Sequence, residues 1–260
     1  MLSAPSAIRR RASLAAAMLA FLPSIAFAQA TALPAARDLV ARHVAAIGGR
    51  EAVLRYPSFR AKGTLGMPAA GINAELEIAG AQPNLVLMKM TIPGMGEMFQ
   101  GFDGTNGWSL DPMQGPRLIE GPELAQLVDE AEYASVLRES PNIASMETTE
   151  IATIGDQRCY KVKVTRKSGR ETFDCYSVDS GLLIGAFAKQ QTPMGEIESV
   201  SEFSDYKDFN GLKQPTKVTQ TMMNQQQVMT FTSYEYGPID AALFAPPPAI
   251  ATLIQQKPKN

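Results

Sequence analysis

The chain has few of the residues that most often carry chemistry. Its 260 residues include one histidine, one tryptophan and two cysteines. No GxSxG, HExxH, GxxxxGK[ST] or GxGxxG pattern occurs, so the signatures of a serine elbow, a zinc-protease helix and a phosphate loop are all missing. Neither CxxC nor zinc-type cysteine spacing is present, and no metal or cofactor is expected. The body of the chain has no basic run, and its formal charge is -2, so nucleic acid is not an expected partner. Proline- or glycine-rich linkers, charge blocks and internal repeats are lacking as well. What remains, 45% apolar and 19% charged, is an ordinary globular balance able to bury a core.

The only long apolar run lies at the start. Arg9, Arg10 and Arg11 precede an apolar stretch from Ala12 to Leu22, then Pro23 and the small-residue step Ala26-Phe27-Ala28. That order predicts a secretory signal over residues 1–28, cleaved before Gln29, with a single domain over 29–260. The run is shorter than the roughly 20 residues a membrane span needs. The expected location is therefore the periplasm, by the general or the twin-arginine route.

Past the leader, "AARDLVARHVAAI" (35–47) has helical spacing and stops at Gly48-Gly49. A short helix over Glu51–Arg55 follows. From Ser58 the period becomes two. "INAELEI" alternates apolar and polar residues, while "NLVLMKM" is apolar on nearly both faces. About ten strand-like runs separated by Gly, Pro, Asn and Asp turns predict one antiparallel, strand-rich domain. A helical stretch over Pro122–Glu139 interrupts them. His43 sits among alanines on the first helix and reads as a surface or core residue rather than a base.

Cys159 and Cys175 flank a hairpin-like stretch with its turn at Ser168-Gly169. An exported, oxidising compartment favours a disulfide between them over two free thiols. The stretch "GFDGTNGWSLDP" (101–112) holds the only tryptophan. Asp103-Gly104 and Asn106-Gly107 read as turn dipeptides, with Phe102 ending one strand and Trp108 beginning the next. Asp103 and Asp111 lack the positioned partners that acid–base catalysis needs.

Together these pieces resemble a family. "DGTNGWSLDP" is similar to the Asp-Gly, Trp and Asp/Asn-Pro segment of periplasmic lipoprotein carriers of the LolA/LolB type. "LEIAGAQPNLVLMKM", "YKDFNGLKQPTKVT" and "IDAALFAPPPAI" resemble that family's strand–Gln-Pro-Asn–strand step, late strand pair and C-terminal Pro-Pro segment. The resemblance implies an α+β, mainly antiparallel fold. That fold is an incomplete, half-open β-barrel with an N-terminal helix and a helical lid over an apolar concave face. It implies a non-catalytic carrier or binding protein. The partners would be an acyl chain of a lipoprotein or other lipid, and membrane components that deliver or receive it. An envelope sensor or structural interaction module on the same fold is the alternative. The Gly48-Gly49 helix break, the acidic lid segment "ELAQLVDEAEYASVLRE" and the cysteine pair depart from the family, and they bear on the lipoprotein cargo more than on the fold.

The cavity candidates are Leu85, Leu87, Met88, Met90, Met98, Trp108, Phe203, Met222 and Phe231. Thirteen methionines, with groups at Met88–Met98 and Met222–Met229, suit a hollow that accepts varied apolar shapes, and equally a core filled with methionine.

Overall fold

A computed structural model describes residues 32–192 and 195–257, and in it the first helix buries the face its spacing predicts. Leu39, Val40, His43 and Val44 are buried along α1 (Ala36–Ala46). The helix ends at Gly48, whose φ of 127° is open to glycine alone; a Cβ there would lie 2.2 Å from the Gly211 carbonyl oxygen. A short α2 (Arg50–Leu54) follows. The leader predicted over residues 1–28 lies outside the described residues.

Among the described residues, thirteen strands then build one sheet. The first six are β1 (Ser58–Met67), β2 (Ile72–Ala81), β3 (Leu85–Ile92), β4 (Gly96–Phe102), β5 (Gly107–Asp111) and β6 (Gly115–Ile119). Next come α3 (Gly121–Glu130) and a 3-10 turn at Ser135–Leu137. The remaining strands are β7 (Ile143–Ile154), β8 (Gln157–Arg166), β9 (Glu171–Ser177), β10 (Leu183–Thr192), β11 (Gly195–Phe209), β12 (Leu212–Met222) and β13 (Gln225–Tyr236). A 3-10 turn at Ala241–Phe244 and α4 (Pro248–Gln256) close the described chain. The count exceeds the ten or so runs read from the sequence, because β5 and β6 are only five residues each and too short to show a period.

The strand order is β6-β5-β4-β3-β2-β1-β13-β12-β11-β10-β9-β8-β7. Two antiparallel meanders are thus joined in the middle by β1 against β13, from Phe59↔Tyr236 to Gly66↔Val228. The edges β6 and β7 are not paired to each other, so the barrel is open. Bulges at Lys62/Gly63, at Leu183/Gly185 and on β7 add the local twist that curls the sheet. The segment from β6 to β7 crosses the inner face. Leu124, Leu127 and Val128 of α3 pack on Val86, Phe102 and Ile119. Farther along, Leu137 packs with α1 and with Val162 and Val164 of β8. The helix predicted over Pro122–Glu139 breaks after Glu130 because the Tyr133 N–H leaves the helix to donate to the Pro83 carbonyl at 3.2 Å.

Each face of the sheet has its own core. Inside, Ala61, Leu65, Leu76 and Phe231 pack together with Met88 and Met90 at their edge. Outside, Ala79, Leu87 and Trp108 are covered by Phe244 and Ile250 of the C-terminal segment. Trp108 lies so close to β4 that a Cβ on Gly101 would meet its ring at 2.5 Å, which requires glycine there. Cys159 and Cys175 form a disulfide on this outer face, with Cα atoms 5.3 Å apart, packed among Ile154 and Ile184. The Asp103 side chain accepts from the N–H groups of Thr105 and Asn106 at 2.9 and 2.7 Å, and Asp111 from those of Met113 and Gln114 at 2.7 and 3.1 Å. Both aspartates hold turns, as the sequence predicts.

Two stability predictions follow from this packing. Replacing both cysteines by alanine should lower unfolding free energy by about 2–3 kcal/mol, because the closed loop is short. Intact mass of alkylated protein, with and without reductant, reads the bond directly; two alkylated thiols in unreduced protein would contradict it. Leu87→Ala should destabilise by about 2–5 kcal/mol in urea titration, as truncations of packed leucines do, whereas a cavity-lining position would show little loss.

Candidate functional site

The inner face, α1, α2 and the β6–β7 crossover enclose a hollow of about 300 Å³. That volume is at the lower end of the range of roughly 300–1,000 Å³ for small-molecule sites. Its walls come from parts of the chain far apart in sequence. Phe59 is from β1, Leu85 and Val86 from β3, Phe203 and Tyr206 from β11, and Tyr234 and Tyr236 from β13. Tyr133 and Val136 close it from the crossover, and Ile47 and Val53 from the first two helices.

The lining is largely aromatic and apolar, with Glu130, Glu132 and Lys213 as its charged members. Burial raises the phenols of Tyr133 and Tyr236 to about 12 and pushes those of Tyr206 and Tyr234 higher still. Several hydroxyls are already engaged. Tyr206 donates to the Leu183 carbonyl at 2.6 Å, Tyr234 to the Pro215 carbonyl at 3.2 Å, and Tyr236 accepts from Gln214 at 2.9 Å. Ring faces are thus left toward the hollow as apolar surface with polar tips tied back.

Charge, as well as apolar packing, holds the crossover down. Its acids face the basic β8–β9 hairpin. Asp129 lies 3.4 Å from Arg166 and 3.2 Å from Arg170, and Glu132 lies 3.5 Å from Arg166. Gln126 bonds to Gln190 and accepts from the Gln191 N–H at 2.7 Å. At the far end, Arg138 makes a two-pronged contact to Asp174 at 2.8 Å for each oxygen, and Tyr176 donates to the same carboxylate at 3.1 Å. Burial opposes the charge on Arg138, but the Asp174 carboxylate more than compensates and raises its pKa.

His43 borders both this network and the hollow. It is 3% exposed, and its Nδ1 accepts from the Leu183 N–H at 3.1 Å. Burial lowers its pKa to about 4, with Asp174 raising it and Arg138 lowering it further. The imidazole is therefore neutral and structural.

The structure divides the residues singled out from sequence. Phe203 lines the hollow. Leu85, first in β3, lines its end and also packs with the outer core. Met88, Met90 and Met98 line a separate hollow of about 220 Å³, shared with Gln100, Ser109, Arg117 and Glu123. Phe231 is packed in the inner core. Met222 ends β12 opposite Ser199 and Gln225, outside both hollows. Leu87 and Trp108 do not share a face with Met88 and Met90. They lie outside under α4, because successive residues of a strand point to opposite sides. Apart from Phe203, the aromatics that line the hollow (Phe59, Tyr133, Tyr206, Tyr234 and Tyr236) were missed. The available signal was Tyr234-Glu235-Tyr236, whose alternation puts two phenols on one face.

A larger concavity of about 770 Å³ lies by Lys161, Phe173 and Phe187. Its lining includes Arg170, Glu171, Lys189, Glu196 and Glu198, so an apolar guest there would strip water from charges.

An open antiparallel sheet with helices across its concave face defines the class: the fold of LolA-type proteins. A LolA superfamily protein from Nitrosomonas europaea shares it with a TM-score of 0.56 at 11% identity, over 82% of this chain and 99% of that one. A DUF1329 family protein from Desulfovibrio piger matches with a TM-score of 0.57 at 11% identity, over 80% and 95%. At these identities what is shared is the fold. No family model matches the sequence, and no curated protein does.

The buried histidine gives this site a pH signature. The unfolded chain takes a proton near 6.5, the folded chain only near 4. Stability should therefore fall as pH drops through that window, by on the order of 3 kcal/mol from this group, and change no further below it. His43→Gln should lose that component. Urea unfolding of both proteins between pH 7 and pH 4 measures the difference; parallel profiles would refute it.

Proposed function

We propose that the chain is a periplasmic, non-catalytic carrier or binding protein for acyl-chain lipids, held in the hollow beneath the β6–β7 crossover. The carrying observation is the hollow itself: covered by a segment tied at both ends and walled by Phe59, Phe203, Tyr206, Tyr234 and Tyr236. An acyl chain gains roughly 0.8 kcal/mol per buried methylene, which can exceed the ordering cost of binding. The fold shared with a LolA superfamily protein supports the same reading. The crossover, fixed by ion pairs as well as by apolar packing, is the element that would lift to admit a chain.

The leader pattern supports export, and export supports a lipid from the cell envelope as the guest. Acyl chains of lipoproteins belong to the same chemical class as free lipids, and the hollow recognises the chain rather than its headgroup. Membrane components that load or unload the carrier are partners consistent with this reading.

Native mass spectrometry of protein purified from the periplasm should find bound lipid. Phe203→Glu should reduce its occupancy at least tenfold while near-ultraviolet circular dichroism stays native, because a hollow tolerates a charge better than a packed core. Lipid-free wild-type protein, together with no uptake of added fatty acid or lysolipid, would refute the carrier reading.

A further inference from the structure

Met88-Lys89-Met90 on β3 puts two thioethers on one face of the strand, two residues apart. Met98 of β4 is the register partner of Met90. Residues directly opposed across an antiparallel pair have Cβ atoms about 4.5–5.5 Å apart. A methionine side chain is flexible, so its sulfur can turn toward a shared point. All three methionines are half-buried and line one hollow of about 220 Å³. Met88 and Met90 also rest against the inner core of Ala61, Leu65, Leu76 and Phe231, which anchors their stems while the hollow stays open beside them.

The charged groups around this hollow are committed elsewhere. Glu123 holds Arg117 with both carboxylate oxygens, at 2.6 and 2.8 Å. The Asp111 Oδ1 accepts from the N–H groups of Met113 and Gln114. Lys89, between the two methionines, points to the opposite face, where its ammonium lies 2.6 Å from Glu97. The one histidine is on α1 and both cysteines are in the disulfide. The donors left to the hollow are three thioether sulfurs, with the polar side chains of Gln100 and Ser109 beside them.

We infer that Met88, Met90 and Met98 form a binding site for a soft monovalent cation, Cu(I) or its analogue Ag(I). A thioether is a neutral, polarisable donor that selects Cu(I), whereas Mg, Ca and Mn take oxygen. A d10 ion has no geometric preference from its d electrons, so three sulfurs from two adjacent strands suffice to hold it. Packing alone would be served as well by leucine, which has a similar volume. What leucine does not supply is sulfur. The site lies in a different hollow from the one proposed to hold lipid, and it does not depend on lipid occupancy.

Calorimetric titration of the disulfide-bonded protein with Ag(I) in chloride-free buffer should show one saturable equivalent. Cu(I), kept reduced by ascorbate, should compete for it. In protein carrying carbon-13 methyl-labelled methionine, the methyl resonances of Met88, Met90 and Met98 should move with that equivalent. The resonance of Met223, exposed on the β12–β13 turn, should not. Met88→Leu, Met90→Leu and Met98→Leu should each keep the wild-type thermal melt and weaken binding at least tenfold. Thioethers take up no proton, so the affinity should be the same at pH 5 and pH 7, unlike that of a histidine, thiolate or carboxylate site. Absence of a saturable equivalent, undiminished binding by the three leucine variants, shifts confined to other methionines, or a tenfold loss at pH 5 would overturn the inference.

Discussion

The pairing of β1 with β13 is the constraint on which the rest of the structure depends. It places the first and last strands in the middle of the sheet. The two free edges are then β6 and β7, which are consecutive in the chain. A sheet that curls brings its edges toward each other, so the segment between them has to span the open side. α3 and the turn after it are held across the concave face by connectivity before any side chain is considered. The hollow exists because a crossover of fixed length bridges a curved sheet.

Side chains then decide how firmly that crossover sits. Its acids meet Arg166 and Arg170 of the β8–β9 hairpin, and Arg138 meets Asp174. Buried ion pairs add little net stability, because desolvation offsets most of the attraction, but they are specific about geometry. Apolar contacts to Val86, Phe102 and Ile119 hold one end of the segment. The result is an element whose closed position is well defined. Beneath it lies a tyrosine-rich wall, with Glu130, Glu132 and Lys213 as its charged members.

The sequence by itself determined the local features. Period-two alternation identified the long strands, aspartate–glycine dipeptides identified the turns, and the hairpin between Cys159 and Cys175 brought the two sulfurs together. These are short-range effects, in which a residue acts on neighbours a few positions away. The acidic character of the crossover was also visible, though not the basic hairpin it answers.

The tertiary structure alone decided which residues meet. Leu87 and Met88 are adjacent and both apolar, yet one packs under α4 and the other faces the inner hollow. The sequence of β3 is apolar on both sides because two separate cores cover it, and nothing local distinguishes them. Phe59, Phe203 and Tyr236 come together only through the β1–β13 pairing and the curl of the sheet. In each case the cause is a pairing between distant strands, and a shift of one residue in that register would exchange inside for outside.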